Sequence, residues 1–304
     1  MAEKYQKKVN PWYVVLKVLV GLVLLSLILS FAISLFMDSS NAGNVAMIKV
    51  EGPIMVSSDS PFSEQASSSD IIGFIEDADN NPAINAIIID VNSPGGSAVA
   101  SDEIASAIRK ANKTTVSVIR EVGASGGYWV ASAADHVIAN RMSVTGSIGV
   151  LGSYLEFSGF LDRYNVTYQR LVSGKYKDIG TPLKELTGEE RSLIQDVLDE
   201  IHEDFILAVS ENRNLNPEDV RKIADGMLFT GKRAKDLGLV DELGGIEEAK
   251  LYLNRTLNIT PLIREYEKEP TFMELLFQAI SEQSFSVGQG IGAMLSEKRT
   301  GIFV

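Results

Sequence analysis

The chain has 304 residues, 45% of them hydrophobic and 22% charged, so it can bury the core of one large domain or two small ones. Its net charge of −12, with no long Lys/Arg run after the N-terminus, argues against a nucleic-acid-binding surface. It contains no cysteine, which excludes disulfides, cysteine-ligated metals and thiol catalysis.

The first feature along the chain is an uncharged apolar run over residues 18–37. As a helix it would span about 30 Å, the hydrocarbon thickness of a bilayer. Asp38 follows it, and four lysines precede it: Lys4, Lys7, Lys8 and Lys17. The positive-inside rule predicts a cytoplasmic segment 1–11, a transmembrane anchor 12–37 and an extracytoplasmic remainder, in the cytoplasmic membrane. A cleaved secretory signal with processing near 40–42 is the alternative, but its apolar core is usually only about 7–15 residues long.

Apolar strands and amphipathic helices alternate after the anchor. Strands are predicted at 45–50, 84–91, 115–120 and 136–140. A loop is predicted over 57–69, and helices are predicted at 70–79 (capped by Asp70), 98–111, 126–134, 187–212 and 246–256, with short helices after Pro217 and before Gly238. This alternation predicts an α/β domain with a largely parallel sheet over 45–258. A C-terminal helix and tail, 259–304, follow it, with helical spacing at 272–280.

Two glycine-rich turns each follow an apolar strand and precede a helix: Asn-Ser-Pro-Gly-Gly at 92–96 and Gly-Ala-Ser-Gly-Gly at 123–127. Because ligands of parallel sheets bind at the carboxyl ends of strands, both turns are expected to open onto one crevice. Ser125 would project from a helix N-terminus beside the Gly126 N–H, and Gly95 or Gly96 could supply a second oxyanion donor. Alternatively, both are structural or phosphate-binding turns, although the sequence lacks a P-loop Gly-Lys-Ser/Thr.

A serine nucleophile needs a base, and the chain has two histidines, His136 and His202. His136 begins a strand soon after Ser125, and His202 lies on an acidic amphipathic helix, so we expect both to be structural or surface residues. A lysine with a lowered pKa can act instead. Residues 173–178 contain Lys175 and Lys177, and spacing does not choose between them.

Four motifs closely resemble the single-domain bacterial form of the signal peptide peptidase A family. They are ASGGYWVASAADHVIANRMSVTGSIGV (124–150), SGKYKDIGTPLKELTGEER (173–191), FTGKRAKDLGLVDELGG (229–245) and NSPGG (92–96). The resemblance covers roughly residues 45–258, in order. It implies a Clp protease/crotonase-like fold and a Ser–Lys serine protease that needs neither a metal nor another cofactor.

The resemblance also assigns roles to individual residues. Ser125 corresponds to the nucleophile, and Lys177, which follows the tyrosine of a Tyr-Lys pair, corresponds to the general base. Ser147 matches a hydroxyl residue that positions the lysine. The oxyanion donors correspond to Gly126 together with Gly95 or Gly96. The sequence departs from the usual pattern at Gly123 and Trp129, where alanine and tyrosine are commoner, and Trp129 could alter the pocket.

The implied function is a membrane-anchored endopeptidase that degrades cleaved signal peptides and other hydrophobic peptides. Long-form relatives are tandem duplications with lysine in one half and serine in the other, so a single copy implies a ring-like homo-oligomer whose dyad forms between neighbouring subunits. Two alternatives stay open: an acyl-CoA enzyme of the crotonase fold, and a non-catalytic membrane scaffold.

Overall fold

The computed structural model describes residues 12, 17, 19–26, 28, 43–57 and 65–268. Residues 19–26 are helical and exposed. Across the described positions, no helix is both long and apolar enough to cross a membrane. Apart from residues 12, 17, 19–26 and 28, the predicted anchor 12–37 lies outside the described residues, as does the predicted helical stretch 272–280, so both stay predictions.

A largely parallel sheet organises the described chain. The strands are β1 (Val45–Glu51), β2 (Ile54–Met55), β3 (Ala66–Ser67), β4 (Ala86–Ser93), β5 (Thr114–Ala124), β6 (His136–Ala139), β7 (Val144–Gly146), β8 (Leu228–Thr230), β9 (Glu242–Leu243) and β10 (Ile263–Tyr266). Eight of them form one sheet with the parallel order β10-β1-β4-β5-β6-β9; β7 pairs with the end of β5, and β8 is antiparallel to β7. The predicted α/β class with a largely parallel sheet is confirmed.

Helices cover both faces of this sheet. They are α1 (Ser68–Asn80), α2 (Ala98–Lys110), α3 (Gly126–Ser132), α4 (Ser158–Arg163), α5 (Gly188–Arg213), α6 (Pro217–Ile223), α7 (Gly231–Asp236) and α8 (Ile246–Leu257). Ile87 and Ile89 of β4 pack into the core shared with α1, α2 and α3. Ile88 packs on the opposite face with Leu253 of α8. Strand β4 begins with the continuous apolar run Ala86–Ile89, which is typical of a strand buried on both faces.

Two helix starts illustrate how local chemistry sets boundaries. The Ser67 hydroxyl caps α1 by accepting from the Asp70 N–H at 3.3 Å, so the prediction that Asp70 is the cap was wrong. The predicted loop 57–69 also extended too far, because β3 and α1 begin inside it. At α5 the predicted capping box is confirmed, with Thr187 and Glu190 each bonding the other's backbone N–H.

Seven elements were not predicted: α4 and the strands β2, β3, β7, β8, β9 and β10. β10 pairs in parallel with β1 and extends the sheet beyond residue 258. β7 has only three residues, Val-Thr-Gly, and is held by pairing with β5 and β8 rather than by a hydrophobic period of its own. Its position matters for function, because Ser147 follows it directly.

Candidate active site

Ser125 is the single residue between the end of β5 and the start of α3. Its backbone N–H donates to the Gly146 carbonyl at 2.8 Å, and its own carbonyl accepts from the N–H groups of Tyr128 and Trp129 at 2.9 and 3.0 Å. Its Oγ donates to no acceptor within the part of the chain that the structure describes. The backbone is therefore fixed on both sides while the hydroxyl is left available.

Ser125 and Ser147 share an uncommon backbone conformation. Their φ angles are +54° and +52°, whereas the other non-glycine residues with positive φ in the described chain are all asparagines, which tolerate it. Because Ala124 and Gly146 are register partners in adjacent strands, the two serines follow neighbouring chain positions. The Ser147 N–H is held by the Met227 carbonyl at 2.8 Å. Paired strain of this kind is characteristic of functional sites.

The first glycine turn lies directly against Ser125. A Cβ added at Gly95 would lie 2.9 Å from the Ser125 Cβ, and one added at Gly126 would lie 3.3 Å from the Gly96 nitrogen. The Gly95 N–H already donates to Ser93 Oγ at 3.1 Å. The N–H groups of Gly96 and Gly126 bond to no described residue. Two free N–H donors, those of Gly96 and Gly126, thus lie close to Ser125. Of Gly95 and Gly96 in the first turn, Gly96 is the one whose N–H bonds no described residue.

These residues open onto a cleft of about 850 Å³. It brings together five predicted site residues: Gly95, Gly96, Ser125, Gly126 and Ser147. Its outer wall comes from α5, including Leu198, His202 and Phe205. Lys177 does not line the cleft.

The two candidate lysines differ in their surroundings. The Lys175 Nζ lies 2.7 Å from both carboxylate oxygens of Glu189, and this hydrogen bonding raises the pKa of Lys175. A general base must be neutral, so this environment disfavours Lys175. The Lys177 side chain is exposed and forms no hydrogen bond or ion pair with another described residue. Of the two lysines, Lys177 is the one with an uncommitted amine.

An ionic network holds the segment around Lys177. Arg170 donates to both oxygens of Asp178 at 2.6 and 2.8 Å, and Lys184 donates to Glu190 at 2.5 Å. The Arg170 hydrogen bonds lower the pKa of Asp178, and the Lys184 hydrogen bond lowers the pKa of Glu190. Residues 170–190 are thereby tied to the start of α5.

The two histidines lie in different parts of the structure. His136 stacks on Tyr252 at 3.9 Å, with its Nε2 3.4 Å from Glu242, and does not line the Ser125 cleft, as the structural interpretation predicted. His202 is half-buried and lines the cleft but forms no hydrogen bond with Ser125 in the described structure, so its interpretation as a structural or surface residue rather than the base stays a prediction. The helical period predicts which residues share a face of α5, but not which part of the molecule that face contacts.

A second cleft, of about 1040 Å³, contains none of the predicted site residues. Its lining is largely charged and includes Asp90, whose pKa is raised by burial and partly lowered again by Arg120 at 3.1 Å. Among the described residues, no cluster of three or more His, Asp or Glu side chains could hold a metal ion. Of these two clefts, the one at Ser125 combines an unbonded side-chain hydroxyl with two backbone N–H groups that bond no described residue.

Comparison with known proteins agrees with this geometry. The model of peptidase family S49 matches residues 107–260, which include Ser125, Ser147 and Lys177. A provisionally named protease of Methanocaldococcus jannaschii is 34% identical over 227 residues, 74% of this chain and 72% of that protein.

Two further relatives carry more specific names. A provisionally named signal peptide peptidase SppA of Enterococcus faecium is 31% identical, over 68% of this chain and 62% of its own length. Protease 4 of Salmonella typhi is 31% identical over 82% of this chain, and the match spans only 40% of that longer protein. With Ser125, Gly126 and Ser147 of the cleft inside the matched region, the chain belongs to peptidase family S49, in the signal peptide peptidase A family, and is a serine protease.

Proposed function

We propose that the chain is a membrane-anchored endopeptidase that uses a Ser125–Lys177 dyad to degrade cleaved signal peptides and other hydrophobic peptides. The observation that carries this proposal is the position of Ser125, whose unbonded Oγ lies beside the unbonded N–H groups of Gly96 and Gly126. The sheet order and the two glycine turns also support a Clp protease/crotonase-like fold.

The mechanism follows from these groups. Neutral Lys177 removes the Ser125 Oγ proton, and the oxygen attacks the scissile carbonyl carbon. The N–H groups of Gly96 and Gly126 bond the resulting oxyanion, and each such donor typically lowers the barrier by about 3 kcal/mol. Lys177 then gives its proton to the departing amine, leaving an acyl-enzyme. Water, deprotonated by Lys177, hydrolyses the ester and regenerates Ser125.

We further propose that the dyad is completed between subunits of a ring-like homo-oligomer. Lys177 is exposed and does not line the cleft that holds Ser125 of its own chain. Ser147, adjacent to Ser125 across the β5–β7 pairing, is suited to hold the incoming amine. A lysine that enters this cleft from a neighbour would lose much of its hydration, which lowers a lysine pKa toward the neutral base form.

The apolar side chains that line the cleft of Ser125 support the proposal of hydrophobic substrates. Trp129, Leu198 and Phe205 line the cleft close to Ser125. The apolar run 18–37 supports an anchor that keeps this cleft at the extracytoplasmic membrane surface, near cleaved signal peptides. Resistance of the full chain to carbonate extraction from membranes, with its catalytic part digestible from the extracytoplasmic side, tests this location; release by carbonate would contradict it.

The decisive experiment measures hydrolysis of hydrophobic peptides by wild type and variants. Ser125→Ala and Lys177→Ala should each be inactive, whereas Lys175→Ala should keep most activity. Co-assembly of the two inactive variants should restore roughly a quarter of wild-type activity, because a random 1:1 ring joins the intact serine and lysine at one site in four. Active Ser125→Ala would overturn the nucleophile, and no recovery on mixing would restrict the dyad to one chain.

A further inference from the structure

Two residues that line the active-site cleft each carry a buried side-chain nitrogen without a hydrogen-bond partner among the described residues. The buried, unpartnered side-chain atoms of the described chain are Ser117 Oγ, Trp129 Nε1, His202 Nε2 and Arg213 Nε. Two of these four, Trp129 and His202, belong to residues that line the cleft of Ser125. Because buried polar groups in native proteins are nearly always hydrogen-bonded, their coincidence at one cleft points to a missing ligand group.

Trp129 and His202, which carry these two nitrogens, belong to the same wall of the cleft. Trp129 lies one helical turn after Ser125, to whose carbonyl its backbone N–H donates at 3.0 Å. Its ring stacks on Phe205 with centroids 4.5 Å apart and planes 9° apart. His202 precedes Phe205 by three residues on α5 and therefore shares its helix face. The Trp129–Phe205 contact thus joins the nucleophile turn to the helix that carries His202.

The chemistry of these nitrogens restricts what can satisfy them. An indole N–H can only donate, whereas a neutral imidazole Nε2 donates or accepts according to its tautomer. A hydroxyl or carboxamide oxygen can accept from Trp129 and also bond His202. A purely aliphatic side chain can do neither. The apolar neighbours Leu198 and Phe205 suit the aliphatic stem of such a side chain.

We propose that Trp129 and His202 form a polar subsite that binds an uncharged, oxygen-bearing side chain of the peptide substrate, such as that of threonine, serine or glutamine. The proposal rests on the proposed peptidase function and adds a specificity determinant to it. Between Glu190 and Phe205 no residue of α5 is buried within the described structure, so this half of the helix borders the cleft without being part of the hydrophobic core.

The test compares hydrophobic peptides that differ by threonine or valine, which have nearly the same shape, at each position around the scissile bond. Wild type should favour threonine at one position by about 10- to 100-fold in kcat/KM, because valine would leave both nitrogens unpaired. Trp129→Phe and His202→Leu should bring this ratio close to one. His202→Gln, which keeps a hydrogen-bonding group, should restore part of it.

Two controls separate specificity from folding. Val197→Ala alters an exposed α5 position outside the cleft and should keep the threonine preference. Thermal unfolding of every variant shows whether a lost preference reflects a lost fold.

A binding measurement separates this proposal from the peptidase assignment. In full-length Ser125→Ala that also carries Trp12→Phe, Trp129 is the single tryptophan, and its emission should shift more with the threonine peptide than with the valine peptide. Cleavage without any threonine preference, or an unchanged preference in Trp129→Phe and His202→Leu, would overturn the subsite and leave the protease. Selective binding by this variant, together with no cleavage of the same peptide by the wild type, would support the subsite and contradict the proposed function.

Discussion

Ser125 and Ser147 each combine a chemically useful hydroxyl with a backbone conformation that costs free energy. A side chain at positive φ typically costs about 1–3 kcal/mol, and it persists only where surrounding bonds enforce it. Here the Gly146 and Met227 carbonyls fix the two serine N–H groups at 2.8 Å. Hydrogen bonds from neighbouring segments therefore hold both serines at positive φ.

Replacing Ser125 by glycine should reveal this strain. Glycine adopts φ near +54° without a Cβ penalty, so Ser125→Gly should be about 1 kcal/mol more stable to urea than Ser125→Ala. Both variants lack the Ser125 hydroxyl and should be inactive, so they differ only in the side chain at the turn. Equal unfolding free energies would show that the turn is not strained by its side chain.

The close approach at Gly126 gives a second prediction. A Cβ there would lie 2.3 Å from Ser101 Oγ, so Gly126→Ala should displace the oxyanion donor and lower kcat on the order of 100-fold. Ser101→Ala removes the clashing oxygen, and the double variant should recover part of the lost rate in a peptidase assay.

Gly73→Ala is the matched control, because an added Cβ there meets nothing within 4 Å. Gly73 lies inside α1. The substitution should leave peptidase activity unchanged and stabilise the helix by up to about 1 kcal/mol. If Ser101→Ala rescues none of the rate of a folded Gly126→Ala protein, the steric explanation is wrong.

At the scale of elements, the segment that carries Lys177 is held by charge rather than by a core. None of the six α4 residues, all of them described, is buried. The following chain depends on the pairs Arg170–Asp178 and Lys184–Glu190. Such a segment should respond to pH and ionic strength more strongly than the sheet does.

Acid should release residues 170–190 before it unfolds the sheet. Asp178 and Glu190 have lowered pKa values in the folded chain. Their ion pairs therefore stabilise the segment fully above the unfolded carboxyl pKa of about 4, and this stabilisation is lost as the pH falls through the pKa values of the folded chain. Limited proteolysis between pH 6 and pH 3 should therefore cleave 170–190 first.

Asp178→Asn removes one anionic partner and should make the same segment cleavable already at pH 6, with reduced peptidase activity. Glu185→Gln, in the same stretch, changes a carboxylate for which the structure gives no ion pair with a described residue, and should have little effect. Uniform digestion of sheet and segment as pH falls would contradict this order of events.

At the scale of the whole molecule, the region between β7 and α5 exposes several large apolar side chains. Leu151, Leu155, Phe160 and Leu171 are 83%, 74%, 59% and 95% exposed. Contiguous exposed apolar surface commonly marks an interaction site. Its nearness in sequence to Lys177 fits a surface that delivers the lysine to a neighbouring subunit.

Introducing charge on this surface should therefore impair assembly and activity together. Leu171→Asp should lower the oligomer mass in sedimentation and reduce specific activity, which should also fall as wild type is diluted. Leu251→Asp on α8 is the control, since that leucine is 58% exposed but lies on a different element. Full activity of a dissociated Leu171→Asp protein would show that one chain suffices.

The sequence determined the elements that have their own period or punctuation. The continuous apolar run of β4, the capping box of α5 and the glycine turns around Ser125 could be predicted because each depends on neighbours along the chain. The three-residue β7 and the edge strand β10 could not, because pairing with distant strands stabilises them.

Tertiary structure alone decided how the site is assembled. It made Ser147 a neighbour of Ser125 through the pairing of β5 with β7, and it showed that Gly96 rather than Gly95 keeps a free N–H. It also placed His202 at the cleft, which the helical period of α5 does not reveal. Residue types and local spacing encode which groups can react, but the distances among them depend on contacts between segments far apart in the chain.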